Sequence, residues 1–188
     1  YEEAQRIYPF VRNMVVPDIA FQLGPFAPIR KYPKKLVDVL VFLRADLESK
    51  VESIRNEEYI KSVFSSLDTK NKNNGANEVT FRIVDWPDRL DIFGTRDELF
   101  TPSSIELLSL GKVVVCDRLH AAILAYLAGL PFVYLDQVSG KITKTLGTAF
   151  DGMEDCMDGE NAMWAKAGSL QEALTKAAEL IDHHKLKH

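Results

Sequence analysis

The sequence predicts an α/β fold, a Rossmann-like and mainly parallel sheet flanked by helices. Three observations carry this. Residues 36–43 and 113–116 are nearly continuous apolar runs rich in β-branched residues, the pattern of strands buried on both faces of a parallel sheet. Such runs alternate along the chain with helical patterns, as crossover connections require. The run that ends at Cys116 stops at Asp117 and gives way to a helical pattern that Gly129 and Pro131 close, which reads as strand, tight turn and helix.

In order, Tyr1, Ala4, Ile7 and Tyr8 recur at helical spacing, and Met14-Val15-Val16 follows as a short strand that Pro17-Asp18 closes. Residues 19–24 fit one helical turn with Gly24 at its end. Pro25, Pro28 and Pro33, with Arg30, Lys31, Lys34 and Lys35, have the composition of a linker. This divides the chain into residues 1–33, the tail of an N-terminal domain plus linker, and residues 34–188, a Rossmann-like domain.

The second unit begins with the strand 36–43, which ends on the charged cluster Arg44-Ala45-Asp46-Leu47-Glu48. A charged cluster there lies at the carboxyl end of a strand, where open α/β sheets take ligands. Residues 56–67 form a helix with Tyr59, Ile60, Val63, Phe64 and Leu67 on one face, and Lys70 to Gly75 is a polar loop. Residues 79–84 alternate as a strand. A helix capped by Ser103 or Ser104 runs to Leu110, Gly111 ends it, and the central strand 112–116 follows. After the helix 118–128 come a strand at 132–135, a short helix to about Leu146, an acidic Gly- and Met-containing loop at 151–161, and an amphipathic helix from Ser169 to about Asp182.

Bulk properties exclude several classes. Hydrophobic residues at 46% and charged residues at 27% over 188 residues suit a globular chain with one good core. A net charge of -4 argues against a nucleic-acid partner, since a phosphate-tracking surface needs a basic excess. There is no apolar run of 18 residues to span a membrane and no signal peptide. The sequence holds no GxGxxG, GxxxxGK[ST] or HExxH pattern, and Cys116 and Cys156 form no metal-binding spacing, so no metal site is expected. Cys116, at the end of an apolar run, reads as a small buried thiol.

The residues that could carry chemistry gather around the turn after Cys116. With Asp117 as N-cap, Arg118 takes the first helical position and His120 the third, beside backbone N–H groups that lack helical partners, a place that attracts anions. A guanidinium there offers a planar fork for phosphate or carboxylate. Alone, His120 reads as readily as a packing residue of a first helical turn. Arg44 is a second candidate, with an ion pair to Asp46 or Glu48 as the plainer reading. Lys141 follows Ser139-Gly140 after another strand and is equally a solvated lysine. Asp18 and Asp136 end strand-like runs and could simply start a turn or cap a helix.

Four pieces in order resemble the polysaccharide pyruvyl transferases: residues 16–24 (Val-Pro-Asp-Ile-Ala-Phe-Gln-Leu-Gly), residues 43–48 (Leu-Arg-Ala-Asp-Leu-Glu), Asp117-Arg118-Leu119-His120 with its helix and Gly129-Leu130-Pro131, and Asp136 to Lys141. The resemblance implies transfer of the enolpyruvyl unit of phosphoenolpyruvate onto two hydroxyls of a sugar, giving a cyclic ketal and phosphate, with no cofactor. It implies a GT-B-like twin-Rossmann parent whose C-terminal half holds the donor. By motif, Arg44 falls on the family's donor-binding arginine, and Arg118, Leu119 and His120 fall on its Arg-Leu-His. With Lys141 these are the expected donor-binding residues, Arg118 and His120 the expected catalytic ones, and Asp18 and Asp136 acceptor or structural candidates. The family's glycine-rich N-terminal segment is absent, so the chain is expected to be a partial, donor-binding portion of the enzyme. Two other readings stay open: a glycosyltransferase of the same fold class using a nucleotide sugar, and a catalytically silent anion-binding domain. The resemblance places a bacterial member at the cytoplasmic side and a eukaryotic one in the Golgi lumen. The acceptor sugar and the oligomeric state are not specified by the sequence.

Overall fold

The structure, a computed structural model, describes residues 2–7, 9–10, 17–25, 35–44, 56–71, 79–84, 100–136, 140–149 and 163–185. Five parallel strands make one sheet: β1 (Val37–Phe42), β2 (Phe81–Val84), β3 (Gly111–Cys116), β4 (Phe132–Leu135) and β5 (Trp164–Ala167). Their spatial order is β2-β1-β3-β4-β5. The helices are α1 (Glu2–Ile7), α2 (Glu57–Asn71), α3 (Phe100–Leu108), α4 (Leu119–Leu127), α5 (Lys141–Ala149) and α6 (Leu170–Lys185), with a 3-10 turn at Ile19–Leu23. The α/β, Rossmann-like parallel sheet is thus as the sequence reads.

Strand alternation sorts the core into two layers. Leu40, Phe42, Val114, Cys116, Phe132 and Tyr134 point to one face, where α3, α4 and α5 cover them. Val39, Val41, Val113, Val115, Val133 and Leu135 point to the other, under α2 and α6. Right-handed crossovers require this division. The chain steps from β1 outward to β2 in one direction and from β3 to β5 in the other, so the crossover helices of the two directions fall on opposite faces.

The helix α4 is nearly all apolar and small, with Ala121, Ala122, Ile123 and Ala125 fully buried against the sheet. It ends as the sequence indicates. Gly129 has φ 64°, its N–H donates to Tyr126 O at 3.0 Å, and Leu130 N–H donates to Ala125 O at 2.9 Å. These two bonds are the Schellman pair.

Five details depart from the sequence reading. The helix α2 runs on to Asn71, so Lys70 and Asn71, read as the start of a polar loop, are helical. The helix α3 begins at Phe100, not at Ser103 or Ser104; Pro102 is tolerated within its first turn, and Ser104 is fully buried in the helix body. Gly111 opens β3 instead of ending a helix, because a Cβ there would sit 2.7 Å from Leu40 Cβ. The helix α5 runs three residues past Leu146, to Ala149. The edge strand β5 was not anticipated: Trp-Ala-Lys-Ala is short and carries little β preference, and it forms by pairing with β4 while Trp164 stacks on Phe132 at 6.2 Å. The expected strand at 14–16, the linker and most of the polar and acidic loops lie outside the described residues.

At the amino end of the sheet, Asp38 accepts from Thr80 N–H at 2.8 Å, Thr80 Oγ1 at 2.7 Å and Lys112 Nζ at 2.7 Å. Partial burial pushes its carboxyl up, but these bonds outweigh burial and hold its pKa below the ordinary 3.8. A depressed carboxyl contributes stability that is present above its unfolded value and lost as pH falls through the folded one. The stability gap between wild type and Asp38→Asn is therefore expected to be constant at neutral pH and to close below about pH 4, as followed by urea unfolding across pH.

The glycines give a graded second prediction. Gly111→Ala should cost about 1–3 kcal/mol by overpacking Leu40. Gly129→Ala, with open space but positive φ, should cost about 1 kcal/mol. Gly147→Ala, within α5 and facing open space, should gain about 0.5–1 kcal/mol. Denaturant midpoints of the three variants check the ranking.

Candidate active site at the switch point

A strand order of 2-1-3-4-5 has one place where the chain reverses its direction of winding, between β1 and β3. The crossovers diverge there, and a crevice opens at the carboxyl ends of the two strands, the usual ligand position in such sheets. The register pairs Phe42 with Cys116 as the last partners of β1 and β3. Arg44 and Arg118 each lie two residues beyond that pair, so both arginines leave the sheet at the same level on neighbouring strands about 4.8 Å apart.

The carboxylate of Asp117 ties the two strand ends together. It is 3% exposed and its Oδ1 accepts the Arg44 backbone N–H at 2.8 Å, while its own N–H donates to Phe42 O at 3.4 Å. This corrects the expectation that Asp117 caps α4. Arg118 occupies the N-cap, with extended backbone and no capping bond from its side chain, and Leu119 and His120 are the first two helical residues. The physical reason is burial: Asp117 leaves the sheet facing the end of the neighbouring strand, and it accepts that strand's Arg44 N–H instead of capping its own helix.

The other candidates divide between this crevice and its flank. His120 stands on the first turn of α4 with its side chain 63% exposed. Leu119 is buried in the core, so a ligand would meet its backbone N–H and not its side chain. Asp18 Oδ1 accepts Ala20 N–H at 2.9 Å, capping the 3-10 turn, and also lies 3.9 Å from His120 Nε2. Phe21 holds that turn in place through an edge-to-face contact with Tyr126 at 6.4 Å.

Asp136 and Lys141 stand one strand further on, after β4. Asp136 Oδ1 accepts Ile142 N–H at 3.2 Å at the start of α5, and Oδ2 is 3.7 Å from Lys166 Nζ. It works here as a helix cap paired to a lysine of β5, a partner invisible without that strand. Lys141 is exposed at the first position of α5. Asp46 and Glu48, the proposed partners of Arg44, lie outside the described residues.

Two further groups line this end of the sheet. Burial raises the Tyr134 phenol above its ordinary range; a 3.3 Å hydrogen bond shared with Thr143 opposes the shift and the Asp136 charge adds to it. Burial likewise drives the Cys116 thiol far up, the Asp117 charge adds to this, and the Arg118 backbone N–H opposes it. Cys116 is a packing residue, as its sequence context indicates. Among the described residues no group of His, Cys, Asp and Glu could hold a metal ion, and no helix is long and apolar enough to cross a membrane.

The chain is thus a doubly wound, Rossmann-like α/β protein with two arginines and a helix-start histidine at its switch point. Comparison with known sequences gives the particular kind. A polysaccharide pyruvyl transferase family model matches residues 2–137, and the chain belongs to that family. The match includes Asp18, Arg44, Arg118, His120 and Asp136 and stops short of Lys141. Pyruvyl transferase 1 of Schizosaccharomyces pombe (strain 972 / ATCC 24843) is 31% identical over 150 residues, covering 74% of this chain and 34% of that protein. The chain therefore spans about a third of the length of this curated relative.

Asp117→Ala would leave the Arg44 N–H at the end of a buried strand without its carboxylate. It should destabilise the chain by about 1–3 kcal/mol and raise amide exchange at Arg44 more than at Val114 in the sheet centre, which hydrogen exchange with mass or NMR detection would measure.

Proposed function

We propose that the protein to which this chain belongs transfers the enolpyruvyl group of phosphoenolpyruvate onto two hydroxyls of a glycan sugar, and that residues 34–188 form its donor-binding domain. In this reading residues 1–33 are the tail and linker of a second, acceptor-side domain in a GT-B-like twin-Rossmann parent. The observation that carries it is the convergence of Arg44, Arg118 and His120 on the carboxyl ends of β1 and β3.

The donor carries a phosphate and a carboxylate on one three-carbon unit. Two guanidiniums at one level could each take one of these groups, and the first-turn N–H groups of α4 add donors for the phosphate. Ketal formation protonates C3 of the enol, which places oxocarbenium character on C2. One sugar hydroxyl attacks C2, the C2–O bond to phosphate breaks, and the second hydroxyl closes the ring. Of the two hydroxyl protons released, one balances the proton taken up at C3 and the other leaves with phosphate. His120 is suited to supply the proton or to stabilise the departing phosphate, and Arg118 to bind charge that builds on it. Lys141, at the start of the next crossover helix, would extend the cationic rim. No cofactor takes part in this scheme.

The test uses the full-length parent with phosphoenolpyruvate and a panel of galactosides and mannosides, following inorganic phosphate by phosphorus NMR. Release of phosphate with at least one glycoside is expected. Arg118→Ala and His120→Ala should each lower the rate on the order of 100-fold or more. Turnover of a nucleotide sugar with none of phosphoenolpyruvate would overturn the reading in favour of a glycosyltransferase.

A further inference from the structure

Asp18 is an unexpected neighbour for His120. It belongs to a turn that precedes the sheet, more than 90 residues earlier in the chain, and yet its Oδ1 lies 3.9 Å from His120 Nε2. The pair is too exposed on the imidazole side to add much stability.

The carboxylate is nevertheless fixed. Its Oδ1 accepts Ala20 N–H at 2.9 Å, so the turn itself sets its direction. Ala20 and Phe21 pack on the sheet's core layer, Phe21 against Tyr126 of α4, and Gly24 closes the turn with φ 69°. The turn is thus anchored to the same helix that presents His120. A negative group held in place before any ligand arrives, near a ring nitrogen, is one way an imidazole is oriented for general acid chemistry.

We propose that Asp18 is a positioning residue for His120: its carboxylate, fixed by the turn, orients the imidazole through the approach at Nε2. This rests on the reading of His120 given above. It assigns residues 18–23 a task in the reaction although they precede the donor-binding domain in sequence.

The substitution Asp18→Asn separates charge from capping, since asparagine caps a turn as well as aspartate does. The experiment is a double-mutant cycle of Asp18→Asn and His120→Ala in the full-length parent, with phosphoenolpyruvate and the most active glycoside of the panel. Asp18→Asn alone should lower kcat about 10-fold, a fraction of what the histidine contributes, with KM for phosphoenolpyruvate and the melting temperature unchanged. In the His120→Ala background the same change should have no effect on kcat. Equal losses in both backgrounds, which a merely unfolded variant would also give, overturn the proposal. So does a wild-type rate for Asp18→Asn beside a crippled His120→Ala, and in that outcome the role of His120 stands. A silent wild type, or a His120→Ala enzyme as fast as wild type, overturns the reading of His120 and this one with it.

Discussion

One hydrogen bond organises the functional end of this molecule: the buried Asp117 carboxylate accepting the Arg44 N–H across the β1–β3 boundary. A doubly wound sheet opens a crevice at its switch point because the crossovers on either side leave in opposite directions. Asp117 bridges the two strands at that point. It continues the β1–β3 connection past the register pair Phe42 and Cys116, and so fixes the height at which both arginines emerge. Because the carboxylate is spent on a backbone donor, α4 begins without an acidic cap, and Arg118 stands where a cap would be. A cation at a helix start is unfavourable to the helix dipole, and an anionic ligand offsets that cost.

The two ends of the sheet use charge in different ways. At the amino end, Asp38, Thr80 and Lys112 satisfy one another in a closed cluster that joins β1, β2 and β3. At the carboxyl end, each described carboxylate near the crevice is engaged by a backbone donor: Asp117 by Arg44, Asp136 by Ile142 and Asp18 by Ala20. Each is oriented by that bond.

Most of the fold was legible because hydrophobic periodicity is a local signal. The runs 36–43, 112–116 and 132–135 and the apolar stripe of α6 became the elements they suggested, with boundaries moved by a few residues. What stayed hidden was set by partners distant in sequence. Trp-Ala-Lys-Ala becomes a strand only against β4, and Gly111 is required only because Leu40 lies beside it. The site divides in the same way. Arg44, Arg118 and His120 could be named from strand ends and a helix start, but Asp117 looked like a cap because nothing in the sequence says which strand lies next to β3. The contact of Asp18 with His120 depends on how Phe21 meets Tyr126, which no linear pattern encodes.

The overall charge sharpens the argument for a local site. With a formal charge of -4, the chain as a whole repels a multiply charged anion. At physiological ionic strength that repulsion fades over about 8 Å, so it slows approach without preventing binding. Affinity then has to come from contacts shorter than that distance, which means guanidinium forks and helix-start N–H groups. Arginine meets this demand better than lysine because its fork is preorganised for two-point contact with phosphate or carboxylate. The switch point supplies two such forks on adjacent strands. In the proposed reaction the same N–H groups and guanidiniums would both hold the donor's charge and bind the departing phosphate, so binding and release of the leaving group would draw on one set of donors.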